Sequence, residues 1–329
     1  MRIVFDPNQV FRPTAIALGN FDGVHLGHQQ VIAPITPASL RISLGDRYPQ
    51  LTSTVVSFSP HPQEFFRKAT RSLLAPFDEK VDLLKSLGVE QLVLLNFDSE
   101  LAKLTAKEFI QKILIGYLQV EMISVGFDFH FGQLRQGNVT DLKNVWGDRL
   151  TIVPEQTMKF SNDSGQSLEQ SLGQSSEQSR VRISSSNIRA ALAQGDIDLA
   201  NALLGRPYNL VGKVIRGKQL GRTIGFPTAN LELPSQKCLP RDGVYAVTVI
   251  DRNCQSVING VMNIGMRPTV NGDRRSVEVH LFDWQGDLYG QQISVNLIKF
   301  IRPEKKFDSL EMLKAQIQDD SLNALRLIK

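Results

Sequence analysis

Hydrophobic and polar positions in the first half of the chain follow two alternating patterns. Short apolar runs rich in β-branched residues predict strands, and apolar residues spaced three and four apart predict the helices between them. In one of these helices Thr105 and Glu108 form the pattern of a capping box. The predicted strands are TAIALGNF (14–21), TSTVVSFSPHP (52–62), VEQLVLLNF (89–97), VEMISVGFDF (120–129) and LTIVPEQ (150–156). Strands and helices in alternation favour a parallel sheet with helices on both faces.

The pattern changes from about Gly205 onward. Short runs of alternating apolar and polar residues are separated by glycine, proline and Asn-Gly, which is typical of an antiparallel sheet or a small β-barrel. In SVEVHLFD the alternation is strict, so the two valines face one way and Glu278 and His280 face the other. The last segment, 308–328, has helical periodicity, and we expect it to pack on the barrel.

A biased segment, residues 161–180, interrupts the ordered patterns. Ser, Gln and Gly make up 13 of its 20 residues, which leaves too little apolar surface to bury, so we predict a mobile loop. Two short helices are then predicted on either side of Gly195 and Asp196. We therefore predict an N-terminal domain (1–186), a helical linker (187–204) and a C-terminal domain (205–329).

Composition and charge narrow the choice of partners and compartment. Lys and Arg number 37 against 33 Asp and Glu, and these basic residues are scattered, so nucleic acid is not required and phosphorylated small molecules fit equally well. Cys238 and Cys254 form no CxxC motif. The sequence has neither the apolar core of a signal peptide nor a run long enough to span a membrane. We expect a cytoplasmic protein that binds neither nucleic acid nor membrane, and the oligomeric state stays open.

The stretch ALGNFDGVHLGHQQV (17–31) predicts a phosphate site at the end of a strand. Gly19 and Gly23 allow a bulky anion to approach the backbone, and the following helix begins near His25. Two imidazoles, His25 and His28, can donate hydrogen bonds to phosphate oxygens and stabilise charge that develops during transfer. A metal site is the alternative, but no third ligand lies nearby in sequence.

The stretch GNFDGVHLGH (19–28) resembles the HxGH motif of the nucleotidyltransferase superfamily. It is most similar to the adenylyltransferase module of bifunctional riboflavin kinase/FMN adenylyltransferases, whose further motifs follow in order as SFSPHP (57–62), VGFDFHFGQLRQG (125–137) and RISSSNIR (182–189). The resemblance implies a Rossmann-like α/β domain in which the last motif closes over the ATP triphosphate. Alone, that motif would be a helix N-cap followed by a surface arginine. The implied ATP-binding residues are Gly19, Phe21, Asp22, Gly23, His25, His28, Arg182, Ser184, Ser185 and Arg189, with His25, His28 and Arg189 catalytic.

The same resemblance implies flavin contacts near GFDFHFG. Phe127, Phe129 and Phe131 alternate, which predicts that they share one face of a strand. Taken alone, a sheet core is the simpler interpretation. The family implies instead an aromatic wall, with Asp128 near the polar edge of the isoalloxazine. The implied flavin-binding residues of this domain are His61, Phe127, Asp128 and Phe129.

The segment GKVIRGKQLGRTIGFPTANL (212–231) is rich in glycine and basic residues. It nearly forms a P-loop from Gly212 to Lys218, but Gln219 stands where Ser or Thr is required and no parallel sheet surrounds it, so we reject a Walker motif. It resembles the riboflavin kinase motif, which implies a loop over ATP phosphates and two oxygen ligands for Mg²⁺. The implied ATP-binding residues are Gly217, Gly221, Arg222, Gly225, Thr228 and Asn230, with Thr228 and Asn230 as the metal ligands.

Two further residues carry predictions for the C-terminal domain. Glu278 maps onto the family's base, a carboxylate that takes the proton of the ribityl 5′-hydroxyl while the γ-phosphate is attacked. An ordinary solvent-facing glutamate is the alternative. Arg302, in FIRPEKKF, is assigned with Glu278 to the flavin, and the alternative there is a solvated basic strand end.

The resemblance covers nearly the whole chain and implies a bifunctional flavoprotein enzyme. A C-terminal β-barrel with a C-terminal helix would phosphorylate riboflavin to FMN, and the N-terminal domain would adenylylate FMN to FAD. ATP is the implied co-substrate of both steps, Mg²⁺ the metal, and riboflavin, FMN and FAD the small-molecule partners. A nucleotidyltransferase for another phosphorylated alcohol is disfavoured by PTAN (227–230), and a regulatory flavin-binding module is disfavoured by the intact motifs.

Overall fold

A computed structural model describes residues 1–45, 51–160, 180–217, 221, 224–250, 257–269 and 272–328. It divides into two compact units, Met1–Ser184 and Ser185–Lys329, here called the N-terminal and C-terminal units. The helices predicted as a linker fall in the C-terminal unit. The assignment of one activity to each predicted domain stays a prediction.

Six parallel strands form the sheet of the N-terminal unit, in the order β1-β4-β3-β2-β5-β6. They are β1 Arg2–Val4, β2 Thr14–Leu18, β3 Thr52–Ser59, β4 Gln91–Asn96, β5 Val120–Gly126 and β6 Leu150–Val153. An antiparallel pair stands apart from this sheet, β7 Thr157–Lys159 with β8 Arg180–Arg182. The predicted parallel sheet is confirmed.

Helices cover both faces of this sheet, as predicted. They are α1 Leu26–Ile32, α2 Pro37–Leu44, α3 Pro62–Arg67, α4 Phe77–Ser86, α5 Ser99–Lys103, α6 Ala106–Glu108 and α7 Val139–Trp146. The helix α6 continues as a π-helix over Phe109–Tyr117. Short 3₁₀ turns lie at Pro7–Gln9, Ala33–Ile35, Gln133–Arg135 and Gly147–Arg149. Alternation along β2 explains the two cores, because Ile16 and Leu18 pack on one face and Ala15 and Ala17 on the other. The predicted capping box of Thr105 and Glu108 is present.

The C-terminal unit is built on a closed barrel with strand order β10-β13-β12-β11-β14-β9. Its strands are β9 Tyr208–Ile215, β10 Ala229–Glu232, β11 Gly243–Ile250, β12 Val257–Thr269, β13 Gly272–Leu281 and β14 Gln292–Pro303, and all pairings are antiparallel. The helices are α8 Ser185–Gln194, α9 Ile197–Leu204 and α10 Leu310–Leu327. The predicted barrel and its C-terminal helix are therefore confirmed.

The helix α10 packs on strands β11, β12 and β14. Ala324 of α10 is fully buried in a cluster with Val244, Ala246 and Val261 of the barrel. Cys238 is buried. Among the described helices, none combines the length and apolar character needed to cross a membrane.

One sequence prediction is wrong in detail, and another stays untested. Phe127, Phe129 and Phe131 do not share a strand face, because β5 ends at Gly126 and the N–H of Phe129 turns back to the Gly126 carbonyl. The predicted loop 161–180 lies outside the described residues except for Arg180, which begins β8.

Candidate active sites

The order of the parallel sheet brings three loops to one edge of the N-terminal unit. The strand β2 lies between β3 and β5, so the connection from β2 to β3 and the later connection from β4 to β5 run in opposite directions across the sheet. Open α/β sheets bind ligands in the crevice outside the carboxyl ends of strands at such a reversal. At this edge β2 leads into the histidine loop, β3 into His61 and β5 into Asp128. Segments predicted to bind ATP and flavin are therefore neighbours.

His25 caps the N-terminus of α1 with its side chain. Its Nδ1 accepts a hydrogen bond from the backbone N–H of His28, at 3.2 Å. A ring nitrogen that accepts carries no proton, so the neutral ring of His25 holds its proton at Nε2. The rings of His25 and His28 are stacked, with centroids 3.6 Å apart. The predicted start of the helix near His25 is confirmed.

The ring of His28 is desolvated between His25 and Phe21. The Phe21 ring meets it edge-on, with centroids 5.3 Å apart. Burial, and then the neighbouring His25 and Lys80, lower the pKa of His28 well below its ordinary value. Its Nδ1 is buried without a hydrogen-bond partner in the described part of the chain. His28 is thus a neutral imidazole at neutral pH.

The remaining residues of the motif shape the loop. A Cβ at Gly19 would lie 3.2 Å from the Phe21 ring, and one at Gly23 would lie 2.9 Å from Leu74, where φ is also +84°. The buried carboxylate of Asp22 accepts hydrogen bonds from the backbone N–H groups of Leu74 and Ala75. These intramolecular contacts explain both glycines and give Asp22 a structural role.

The residues predicted to bind flavin lie in two places beside this loop. His61 caps α3, and burial together with Arg71 lowers the pKa of His61 to about 4. The guanidinium of Arg182 lies 2.7 Å from the Asp128 carboxylate, 2.9 Å from that of Glu155 and 5.4 Å from the Phe127 ring. The binding of ATP by Arg182 stays a prediction. Phe129 is half-buried, and its ring stacks on the ring of Phe131 in the core.

The RISSSNIR motif approaches α1 within the N-terminal unit. A Cβ placed on Gly27 would lie 3.5 Å from the Ile183 carbonyl oxygen, so the chain just before Ser184 runs beside the histidines. Ser185 begins α8, where Arg189 donates to the Ser185 carbonyl at 3.2 Å. Because Ser185 and Arg189 belong to the C-terminal unit, their approach to the triphosphate stays a prediction.

A cavity of about 470 Å³ lies between the barrel and α10. This volume is typical of sites for drug-sized ligands. Apolar side chains from both elements line it, namely Val244, Val261, Met262, Leu310, Leu313 and Ile317. Polar and charged side chains also line it, namely Thr228, Asn263, Glu278, His280, Arg302, Glu304, Lys305 and Asp320. A ligand with both an apolar and a polar part fits this lining.

Glu278 lies between two asparagines on adjacent strands. Its register partners are Asn230 on β10 and Asn263 on β12. Thr228, just before β10, donates from Oγ1 to the Glu278 carboxylate at 3.3 Å. The valines on either side of Glu278 are buried and Glu278 is half-buried, so the predicted alternation along β13 is confirmed. The structure therefore brings together the predicted base and both predicted metal ligands.

Two predicted glycines pack against the PTAN segment. A Cβ on Gly217 would overlap the side-chain amide of Asn230, and one on Gly221 would meet the Phe226 carbonyl. Gly225 has a φ of +91°. Close approach of the glycine-rich segment to its neighbours explains why glycine stands at these positions. Arg222 lies outside the described residues.

Comparison with known proteins finds a different family model for each part of the chain. A riboflavin kinase family model matches residues 204–328, and an FAD synthetase family model matches residues 8–167. The bifunctional riboflavin kinase/FMN adenylyltransferase of Haemophilus influenzae is 38% identical over 97% of this chain and 96% of its own length. The Escherichia coli K12 protein of the same name is 39% identical over 94% of this chain and 91% of its own.

The chain belongs to the bifunctional riboflavin kinase/FMN adenylyltransferase family. Its two activities are riboflavin kinase and FMN adenylyltransferase, which lead from riboflavin through FMN to FAD. A crystal structure of a Streptococcus pneumoniae protein named macrolide-efflux protein aligns with a TM-score of 0.79 at 30% identity, over 98% of this chain and 97% of that chain. That name belongs to the S. pneumoniae protein, and the alignment supports the shared fold.

In this family member, sequence reasoning missed three residues at the two sites. Lys80 of α4 donates to the Asn20 carbonyl in the histidine loop at 2.9 Å. His280 lies 2.8 Å from the Pro227 carbonyl through Nδ1, which places this ring against PTAN. Asp320, almost fully buried, forms a bidentate ion pair with Arg302. Lys80 and Asp320 lie on helices, where sequence spacing alone gives no sign of such partners.

The ion pair with Asp320 rules out the alternative interpretation of Arg302 as part of a solvated basic strand end. Its Nη2 lies 2.7 Å from the Asp320 carboxylate, and Gln316 donates to the same carboxylate at 3.1 Å. Arg302 is thus mostly buried at the end of β14 and is not a solvated basic strand end. It ties α10 to the barrel at the cavity.

Proposed function

We propose that the two units divide the flavin chemistry of the family. The C-terminal barrel transfers the γ-phosphate of ATP to riboflavin, and the N-terminal unit transfers AMP from ATP to FMN with release of pyrophosphate. The observation that carries this division is the separation of the predicted groups: the stacked histidines lie in one unit and the Thr228–Glu278 pair in the other.

In the adenylyl transfer, a phosphate oxygen of FMN attacks the α-phosphorus and the bond to the pyrophosphate oxygen breaks. Negative charge moves onto the leaving pyrophosphate. The Nε2–H of His25 and the neutral ring of His28 would hydrogen-bond phosphate oxygens as this charge develops, which their contact and the lowered pKa of His28 support. The family resemblance implies that Ser184, Ser185 and Arg189 close over the triphosphate.

The flavin half of this site would be formed by Phe127, Asp128, Phe129 and His61. The Phe127 ring is exposed, and Asp128 is held in place by Arg182. An exposed ring beside an oriented carboxylate suits a flat heterocycle with one polar edge. His61 stays neutral above about pH 4 and can hydrogen-bond without adding charge.

In the kinase step, Glu278 would take the proton of the ribityl 5′-hydroxyl as its oxygen attacks the γ-phosphorus and ADP leaves. The apolar wall of the cavity would hold the isoalloxazine. The loop that contains Gly217, Gly221, Arg222 and Gly225 would cover the phosphates. Arg302 would contact the flavin from the end of β14, where its pair with Asp320 holds it.

The oxygen donors near Glu278 fit Mg²⁺. Magnesium is commonly held by few protein oxygens, with phosphate and water completing the octahedron. Thr228 offers a hydroxyl and Asn230 an amide oxygen, and the Glu278 carboxylate lies 3.3 Å from that hydroxyl. Bound there, the ion would neutralise charge on the ATP phosphates. We place the protein in the cytoplasm, because two cysteines without a CxxC motif form no disulfide framework and fit a reducing compartment.

The test uses the full chain with riboflavin, ATP and Mg²⁺, with products separated by chromatography. FMN should appear first and FAD second, and FMN with ATP alone should give FAD and pyrophosphate. Chelation of Mg²⁺ should stop both reactions. Absence of turnover would favour a regulatory module, and adenylylation of other phosphorylated alcohols but not FMN would favour a different nucleotidyltransferase.

A second experiment tests the division between units. The C-terminal unit, residues 185–329, should convert riboflavin to FMN when expressed alone and should form no FAD. Circular dichroism establishes whether it folds. A folded but inactive fragment, next to an active full chain, would contradict the division.

A further inference from the structure

We propose that Lys80 is a phosphate-binding residue of the adenylyltransferase site, and that its ammonium group contacts an oxygen of the ATP triphosphate beside His28. The proposal rests on the assignment of adenylyl transfer to the His25 and His28 site.

The position of Lys80 is set by two links between α4 and the histidine loop. Lys80 donates from Nζ to the Asn20 carbonyl at 2.9 Å, and the same carbonyl accepts from Ser57 at 3.2 Å. From the other direction, Asp22 binds the backbone N–H groups of Leu74 and Ala75, just before α4 begins. The ammonium group is therefore fixed against the loop that carries the histidines.

The surroundings of Lys80 leave its charge incompletely compensated. Within the described residues, the Asn20 carbonyl is its hydrogen-bond partner and no carboxylate lies within ion-pair distance. An ammonium group has three N–H donors, so two stay available for a ligand. A desolvated charge with one neutral acceptor is costly, and an arriving polyphosphate would compensate it.

The titratable groups that face Lys80 come from three elements. Burial lowers the pKa of Lys80 and the Asp22 carboxylate partly restores it. His28 of α1 and His61 at the start of α3 have pKa values lowered in part by Lys80. Its positive charge thus reaches both histidines at the carboxyl edge of the sheet, where phosphate is expected to bind.

Two polar atoms near Lys80 are buried without a hydrogen-bond partner in the described residues. They are the Oδ1 atom of Asn20 and the Nδ1 atom of His28. Buried polar atoms in a folded protein usually have partners. The His28 Nδ1 atom can donate a hydrogen bond to a phosphate oxygen, whereas Asn20 Oδ1 can only accept, so the histidine atom is the one that supports a phosphate ligand.

The experiment compares Lys80→Met, Lys80→Arg and the matched control Lys85→Met in the full chain. Lys85 lies on the same helix and is exposed. The forward reaction, with FMN and ATP, gives kcat and the KM for ATP. The reverse reaction, with FAD and pyrophosphate, gives the KM for pyrophosphate, which only the adenylyltransferase reaction uses.

We expect Lys80→Met to lower kcat/KM for ATP about 10²-fold, as loss of one preorganised phosphate contact does. The KM for pyrophosphate should rise about tenfold or more. Lys80→Arg should retain most of the activity because it keeps the charge, and Lys85→Met should match the wild type. Riboflavin phosphorylation should be unchanged in all three variants.

The pH profile separates phosphate binding from a structural role in holding the loop. In the wild type, kcat/KM for ATP should fall on the alkaline side as Lys80 loses its proton, at a pH below the ordinary lysine pKa, and Lys80→Arg should move this limb to higher pH. Unchanged KM values in Lys80→Met would overturn the proposal. So would an alkaline limb in Lys80→Arg identical to that of the wild type, and this second criterion holds even if the methionine variant does not fold. Unimpaired adenylylation in His28→Ala would instead reject the underlying site assignment.

Discussion

In the N-terminal unit the two histidines lie in a loop and in the first turn of a short helix, whereas in the C-terminal unit Glu278 lies on a strand with a paired neighbour on either side. The loop is held by side-chain contacts such as Asp22 to Leu74 and Ala75. The carboxylate of Glu278 is directed by the barrel register with Asn230 and Asn263. A site built on strands inherits its geometry from backbone pairing, and a site built on a loop needs its own supporting contacts.

Replacing Glu278 by Gln should cause the largest change. The variant keeps the shape and the pairing of β13 and removes the base, so riboflavin phosphorylation should fall about 10²–10⁴-fold. FAD formation from supplied FMN should stay at the wild-type rate. Initial rates of both half-reactions give the comparison, and Glu232→Gln, on the exposed face of β10, is the matched control. Equal losses in both half-reactions would contradict separate sites.

His28→Ala should have the opposite selectivity, with a smaller loss: FAD formation should fall and riboflavin phosphorylation should not. Loss of one donor to the developing charge should lower FAD formation from FMN about 10²-fold, with FMN formation from riboflavin unaffected. The control is Gln30→Ala, an exposed position of the same helix. A loss of kinase activity in His28→Ala would show that the assignment of sites to units is wrong.

Each unit contains an arginine–aspartate ion pair, Arg302–Asp320 in the C-terminal unit and Arg182–Asp128 in the N-terminal unit, and the two pairs should contribute differently to the free energy of unfolding. Arg302→Met leaves the nearly buried Asp320 carboxylate without its guanidinium, which should destabilise the C-terminal unit by about 3 kcal/mol. Denaturant unfolding followed by circular dichroism measures the change. Arg326→Met, at an exposed position of α10, should leave the midpoint nearly unchanged, and an equal shift in both variants would count against the buried pair.

The pH dependence of stability should differ between the units because of the histidines. The folded pKa of His61, about 4, lies below its ordinary value of 6.5, so the unfolded state binds more protons between these values. The stability that neutral His61 contributes is complete above pH 6.5 and decreases as the pH falls toward 4, and His28 acts in the same direction. Thermal unfolding of His61→Asn should show a shallower decrease than the wild type. His130→Asn, at an exposed position, should follow the wild type.

The smallest effect is expected at the exposed pair of the N-terminal unit. Arg182 and Asp128 approach as closely as Arg302 and Asp320, at 2.7 Å, and Arg182 also lies 2.9 Å from Glu155, but all three N-terminal residues are about half exposed. Each exposed ion pair contributes about 0.2–1 kcal/mol, so Arg182→Met, which removes both, should shift the unfolding free energy by about 1 kcal/mol. A shift as large as that of Arg302→Met would contradict the argument from burial.

The sequence predicted those parts of the fold in which a single local pattern determines the secondary structure and the direction of the side chains. Alternation in β13 predicted the direction of Glu278, and a strand that ends in glycine predicted the position of His25. The aromatic alternation from Phe127 to Phe131 misled because the chain turns back at Gly126, and residues two apart in a turn resemble a strand pattern. Lys80 could not be predicted, because its partner, Asn20, lies 60 residues earlier in the chain.

The register that directs Glu278 also limits how β13 can change in length. Inserting or deleting one residue upstream in this strand would turn its side chains to the opposite face, which would send the Glu278 carboxylate into the barrel interior and bring Val277 or Val279 out. A point substitution on β13 changes only one side chain. An insertion or deletion in this strand would displace both the base Glu278 and the buried valines of the core. Length variation among related chains should therefore avoid β13 and gather in connections such as 282–291, between β13 and β14.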